Sequence, residues 1–199
     1  MKSKLRTFVA IELPKRRQDE IRELQHAVAS RRLDIRWVKP VNMHLTLSFL
    51  GDVDPPDIDA VERVLSNTAA NAPIFALSPR GIGVFPSIRH PRILWVGMAG
   101  QTDMLRSIQK SVVAALVPLG FAADKRPYRG HLTIGRINPR IHQGRLLDAL
   151  RTHQGFVSQA FTVKRLVVFK SDLHPDGPVY SRLCEMPLNT STTLHSNSS

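Results

Sequence analysis

Residues 44–51 read HLTLSFLG and residues 131–136 read HLTIGR. Both open with His-Leu-Thr and an aliphatic residue, and both alternate polar with apolar in the manner of a strand with one buried face. On a strand, residues i and i+2 share a face. His44 and Thr46 therefore point one way, and Leu45 and Leu47 point the other way into a core. His131 and Thr133 stand in the same relation to Leu132 and Ile134. Each copy offers an imidazole beside a hydroxyl on a rigid element with an anchored back.

The two histidines lie 87 residues apart, and the spacing belongs to a larger repeat. The same offset carries the strand at Phe8 onto the strand at Trp95. It carries a helical stretch over 15–32 onto roughly 102–119, and the strand near Phe75 onto the strand near Thr162. Strands are predicted over 7–13, 35–38, 42–50, 75–85, 92–98, 131–137, 161–170 and 179–186. Further helices are predicted on the stripe Ile58, Val61, Val64 and Leu65, and over 143–153, with Gly120 closing the helix that begins near residue 103. Each half reads strand, helix, strand, helix, strand. A duplication of that kind predicts an α+β fold with two pseudo-symmetric lobes, antiparallel sheets lining a central cleft and helices outside. The reading gives one bilobal domain over 1–187 with interwoven repeats, and a disordered Ser/Thr/Asn-rich tail over 188–199.

The 199 residues are enough for such a pair of lobes and a proper core. Hydrophobic residues at 42% and charged residues at 22% exclude wholesale disorder. Lys and Arg number 28 against 16 Asp and Glu, a formal charge of +12. That surplus suits nucleic acid, a phosphorylated small molecule or an anionic membrane face, against the alternative of an Arg-rich protein with no such partner. The single cysteine, Cys184, excludes an internal disulfide framework and a multi-cysteine zinc site, and it fits a reducing, cytoplasmic setting. No apolar run approaches the roughly 18 residues of a membrane span. The basic start Met1–Arg6 leads into a short apolar stretch that reaches Glu12 without a small-residue cleavage site, and it reads as a first strand. No exposed apolar stripe is evident, so a monomer is expected.

Two imidazoles suit displacement at phosphorus. Histidine titrates near neutral pH, so one ring can hold a proton while the other lacks it. The neutral ring takes a proton from the attacking water and the protonated ring gives one to the leaving oxygen. Threonine hydroxyls and basic side chains can hold the non-bridging phosphate oxygens. This chemistry calls for no metal and no cofactor, and the sequence has no His-Glu-x-x-His. A lone His-x-Thr would be an ordinary strand feature. Two copies at the period of a repeat point to a shared pocket. The other histidines, His26, His90, His142, His153, His174 and His195, fall on helices, loops or the tail and read as surface.

The paired motifs resemble the 2H phosphoesterase superfamily, and more narrowly the bacterial and archaeal RNA 2′,3′-cyclic phosphodiesterases, first named 2′-5′ RNA ligases. The resemblance spans about residues 5–187 and includes TFVAIELP from Thr7, GVFPSIRHPRILWVG from Gly83 and SDLHPDGPVYSRL from Ser171. It implies hydrolysis of a terminal RNA 2′,3′-cyclic phosphate to a 2′-phosphomonoester, with His44 as proton donor and His131 as proton acceptor. It also implies that Thr46 and Thr133 contact phosphate, and Arg136 matches a family position as well. Arg136 lies an odd number of residues from His131, so a regular strand would turn it away; a bulge or a strand end at Gly135 would turn it back. The alternative is an exposed or lobe-bridging arginine. Phe49, at the equivalent place in the first copy, reads as core.

The loop Lys125, Arg126, Tyr128 and Arg129 directly precedes the second motif and could guide an RNA backbone and stack a base. It could equally be a solvated basic loop. Arg89, His90 and Arg92 form a weaker candidate of the same kind, and Trp95 reads as core. Two rival functions remain at this point, 2′-5′ RNA ligation and non-catalytic RNA binding. The lack of a Gly-rich P-loop weighs against a nucleotide-dependent ligase.

Overall fold

Alternating apolar residues and turn-forming pairs divide the chain into strands and helices whose order matches the predicted repeat. A computed structural model describes residues 3–124 and 126–190. The elements are β1 (Leu5–Glu12), α1 (Lys15–Ala29), β2 (Ile35–Trp37), β3 (His44–Val53), α2 (Ile58–Ala70), β4 (Phe75–Pro86) and β5 (Pro91–Gly100). They continue with α3 (Thr102–Leu116), β6 (His131–Ile137), α4 (Gln143–His153), β7 (Phe161–Val163), β8 (Arg165–His174) and β9 (Gly177–Pro187). Gly120, at φ +90°, ends the turn that follows α3. No helix among the described residues is long and apolar enough to cross a membrane.

The strands form one sheet in the order β7-β4-β5-β6-β3-β1-β8-β9, with β2 pairing the end of β6. The two predicted lobes are the two arms of this sheet. They meet where β3 pairs antiparallel with β6 at Leu45 and Leu132, both fully buried. Each repeat sends its third long strand across to the other arm: β4 pairs with β5, and β8 pairs with β1. Apolar side chains of all four helices pack in one cluster with Leu45, Leu47, Leu132 and Ile134. The helices therefore cover the face these residues share, and the opposite face of the seam, bearing the histidines and threonines, is left open as a cleft.

The pairing corrects the repeat register. Val9 pairs with Ser48 and Leu94 with Gly135, so the first strands are related by 85 residues while the motif strands are related by 87. Ala10, not Phe8, is the counterpart of Trp95. The difference lies in the connections, where chain length is cheap to vary. The strand at Phe75 is likewise not the counterpart of the one at Thr162; Phe75–Leu77 is hydrogen-bonded to Phe161–Val163, and β8 is the counterpart of β4. The single predicted strand over 161–170 is broken at Lys164, because there the chain leaves one arm for the other. Leu188 and Asn189, assigned to the tail by the sequence, are tied into the fold: Leu188 is buried and its N–H bonds the Lys164 carbonyl, and the Asn189 N–H bonds that of Ala72. The rest of the predicted disordered tail, from residue 191, lies outside the described residues.

Both motif strands are bulged at equivalent places. Leu47 is skipped in the ladder with β1, and Ile134 is skipped in the ladder with β5. A bulge frees a carbonyl that must find partners. The Ile134 carbonyl accepts from the Val38 N–H at 3.1 Å and from the buried Gln25 side chain at 2.8 Å; Gln25 also donates to the Val38 carbonyl at 2.8 Å. Gly135 is required beside the bulge, since a Cβ there would stand 2.5 Å from Ile35 Cγ2. Replacing Gln25 by Leu should cost about 1–3 kcal/mol, the penalty of buried carbonyls left short of a donor. Urea unfolding of Gln25→Leu checks this, and an unchanged midpoint would contradict the role given to Gln25.

Candidate active site

The seam sets the relation between the two motifs. With Leu45 opposite Leu132 in an antiparallel pair, His44 lies across from Thr133 and Thr46 across from His131. The histidines are diagonal neighbours, a relation that spans roughly 7–8 Å between strands. Each ring is pinned the same way. His44 Nδ1 lies 2.8 Å from the Asn42 carbonyl oxygen, and His131 Nδ1 lies 2.7 Å from that of Arg129. A carbonyl only accepts, so each Nδ1 carries hydrogen and each Nε2 is left as the nitrogen available to a ligand. Both histidines and both threonines line a cleft of about 620 Å³.

The surroundings of the two rings differ. His44 stacks on Phe8 at 4.5 Å between ring centroids and meets the edge of Tyr180 at 5.1 Å, with Phe169 at 6.2 Å. His131 has Phe85 edge-on at 4.9 Å. Phe85 pairs across strands with Ile93, and Phe169 pairs with Phe8, so Phe85 and Phe169 are counterparts and Phe8 is replaced by Ile93 on the second arm. The fuller aromatic cage disfavours a charged ring. Burial pushes His44 down to about 4, against the opposing effect of its bond to Asn42 and with a further push from His131. His44 is therefore neutral at neutral pH.

Arg136 lines the cleft. The bulge at Ile134 shifts the parity, so that Arg136 joins the face of His131 and Thr133 while Ile137 returns to the core. Phe49, its counterpart, is a correction: it is 66% exposed and lines the cleft, because the equivalent bulge at Leu47 turns it outward. Arg6, Arg36 and Lys39 also line the cleft, where Asp176 is the one carboxylate among the described residues. Burial raises the Tyr180 phenol, with Arg136 and Arg6 opposing. None of Phe8, Phe85, Tyr180, Arg6, Arg36 and Lys39 stands out in the sequence, because each reaches the site through strand pairing or a distant hairpin.

The basic loop is placed elsewhere. Lys125 lies outside the described residues. Arg126 is exposed and pairs with Asp124 at 2.9 Å. Tyr128 packs against the core and donates to the Thr46 carbonyl at 3.1 Å. Arg129 is exposed and contributes its carbonyl to His131. None of Arg126, Tyr128 and Arg129 lines the cleft. Trp95 is not core: it sits across from Thr133 on the cleft-side face, against Gly83, and its buried indole N–H has no hydrogen-bond partner among the described residues. His174 is exposed at the cleft rim, and His142 accepts the Arg145 N–H at the start of α4. His195 lies outside the described residues. Among the described residues no group of three or more His, Cys, Asp or Glu could hold a metal ion.

A family model described as LigT-like phosphoesterase matches residues 11–95 and again 96–180, two units 85 residues apart, as are the first strands of the arms. The chain is 30% identical to an RNA 2′,3′-cyclic phosphodiesterase of Methanothermobacter thermautotrophicus, over 89% of this chain and 96% of that one. It is 31% identical to one of Archaeoglobus fulgidus, over 90% and 98%. The crystal structure of a Thermus thermophilus protein, TT0787, superposes with a TM-score of 0.78 at 24% identity, covering 94% of this chain and all of the other. That last likeness concerns the fold.

The cage account of His44 has a direct test. In the free protein its imidazole should titrate near pH 4 by NMR. Phe8→Ala, which readmits water to the imidazolium, should move the midpoint up toward the ordinary value of about 6.5. A wild-type midpoint at or above that value would contradict the account.

Proposed function

The chain belongs to the LigT-like phosphoesterase family, and from that premise we propose that it hydrolyses RNA 2′,3′-cyclic phosphodiester ends to 2′-phosphomonoesters by two-histidine acid–base catalysis. The relatives' shared activity supports the reaction. The observation that carries the mechanism is the seam, which sets two identically pinned imidazoles diagonally across one cleft, each facing the other motif's threonine.

In this reading the cyclic phosphate sits between the motifs, with its non-bridging oxygens accepting from Thr46 and Thr133 and facing Arg136. His131 Nε2 takes a proton from water as the water oxygen bonds to phosphorus. The bond from phosphorus to the 3′ oxygen breaks, and His44 Nε2 delivers a proton to that oxygen. The 2′ ester remains. His44 must be charged to donate. The anionic phosphate favours its imidazolium when it enters the cleft, and an imidazolium held among Phe8, Phe169 and Tyr180 is a strong acid that gives its proton up readily. The protein acts in this reading as a cytoplasmic monomer on RNA ends or related cyclic nucleotides.

The test is hydrolysis of a short RNA ending in a 2′,3′-cyclic phosphate, with EDTA present and the product isomer identified. Wild type should yield the 2′-phosphate. His44→Ala and His131→Ala should each lose roughly 10²–10⁴ in kcat/KM. Wild type that binds the RNA without turnover, with binding unchanged in both variants, would leave a non-catalytic RNA-binding module instead.

A further inference from the structure

The cleft extends past the two motifs to a cluster of cations of which the proposed chemistry uses only Arg136. Arg36 and Arg136 stand directly opposite each other in the β2–β6 pair. Like charges in that relation oppose folding. Neither arginine, nor Arg6 or Lys39, forms an ion pair with a described carboxylate, although all four line the cleft. Among the described residues, seven arginines outside the cleft are ion-paired. On the β8–β9 arm Arg165 and Arg182 share Glu12 and Glu185. Arg36 is held in position by the Pro175 carbonyl, at 3.3 Å, rather than neutralised. The one described cleft carboxylate, Asp176, is exposed and bonds none of these cations within ion-pair distance.

Uncompensated cations held on strands inside a concave site form an anion site in wait. Along β6, the bulge at Ile134 leaves Arg136 two ladder steps beyond Thr133, roughly 7 Å of strand. That is the scale of one nucleotide. The reacting phosphate occupies the Thr46 and Thr133 end in the reading above, on which this inference rests. We propose that Arg36, with Arg6 lining the same cleft, forms a second phosphate subsite that holds the phosphoryl group on the 5′ oxygen of the terminal nucleoside. Arg136 lies between the two subsites. The protein thus selects nucleotides that continue on the 5′ side, as an RNA chain does, over a bare nucleoside cyclic phosphate.

The probes are adenosine 2′-phosphate and adenosine 2′,5′-bisphosphate, with affinities measured by calorimetry at fixed ionic strength. Wild type should bind the bisphosphate at least tenfold more tightly. Arg36→Gln should reduce that ratio to within about threefold of unity and leave the monophosphate affinity within about threefold of wild type. Arg63→Gln, which removes one exposed charge on α2, should keep the wild-type ratio. Since Arg36→Gln relieves a like-charge pair, its melting temperature should match or exceed that of wild type, which separates a lost ligand contact from a lost fold. Equal binding of the two probes by wild type, or an equal loss of ratio in Arg36→Gln and Arg63→Gln, would overturn the subsite. Turnover of adenosine 2′,3′-cyclic phosphate on the same preparations is read separately. Selectivity without turnover keeps the subsite and removes the enzyme, and turnover without selectivity does the reverse.

Discussion

Leu45 and Leu132 are the point at which the two arms of the sheet pair, and both are sealed under the helices. Side chains alternate with a period of two, so a slip of one residue at this seam would send an imidazole and a hydroxyl into the core and a leucine into the cleft. The hydrophobic effect therefore fixes the register, and the register fixes the chemistry. His44 faces Thr133 and His131 faces Thr46 because the leucines between them cannot leave the core. The paired bulges at Leu47 and Ile134 add the next layer, since they reverse the parity beyond each motif and bring Phe49 and Arg136 to the same face.

Two near-identical motifs end up with unequal histidines. The hydrogen bonds at Nδ1 are alike, at 2.8 and 2.7 Å, so the difference comes from what surrounds each ring. On one arm Phe8, Phe169 and Tyr180 enclose His44; on the other, Phe85 stands alone among described ring contacts to His131. A duplicated scaffold supplies the geometry of a pair, and substitution at a single counterpart position, Phe8 against Ile93, helps to make the surroundings of the two rings unequal. An acid and a base are needed at one phosphate, and two groups in equal environments would compete for one proton.

Much of this was legible in the sequence because it rests on local periodicity. The alternation in 44–50 and 131–137 gave both motif strands, and the parity conflict at Arg136 pointed to the bulge that the ladder contains. What stayed hidden depends on pairing between distant strands. The crossing at Lys164 breaks an apolar run that looks continuous, because nothing in the run records which arm each half joins. Arg36 acquires meaning only opposite Arg136, and Tyr180 only when β9 folds beside β8. Trp95 and Tyr128 show the same limit in opposite directions. Trp95 lies in an apolar run yet stands on the cleft-side face, and Tyr128 lies in a basic loop yet packs against the core and bonds the Thr46 carbonyl.

The central claim is that His44 supplies a proton and His131 accepts one in the same turnover. The pH dependence of kcat in the single variants tests it most directly, since each variant retains one of the two groups. The residual rate of His44→Ala should rise with pH to a plateau, because only the base remains to be deprotonated. That of His131→Ala should fall as pH rises, because only the acid remains to be protonated. Residual rates with the opposite slopes would exchange the roles, and bell-shaped profiles unchanged in both variants would contradict the two-histidine account.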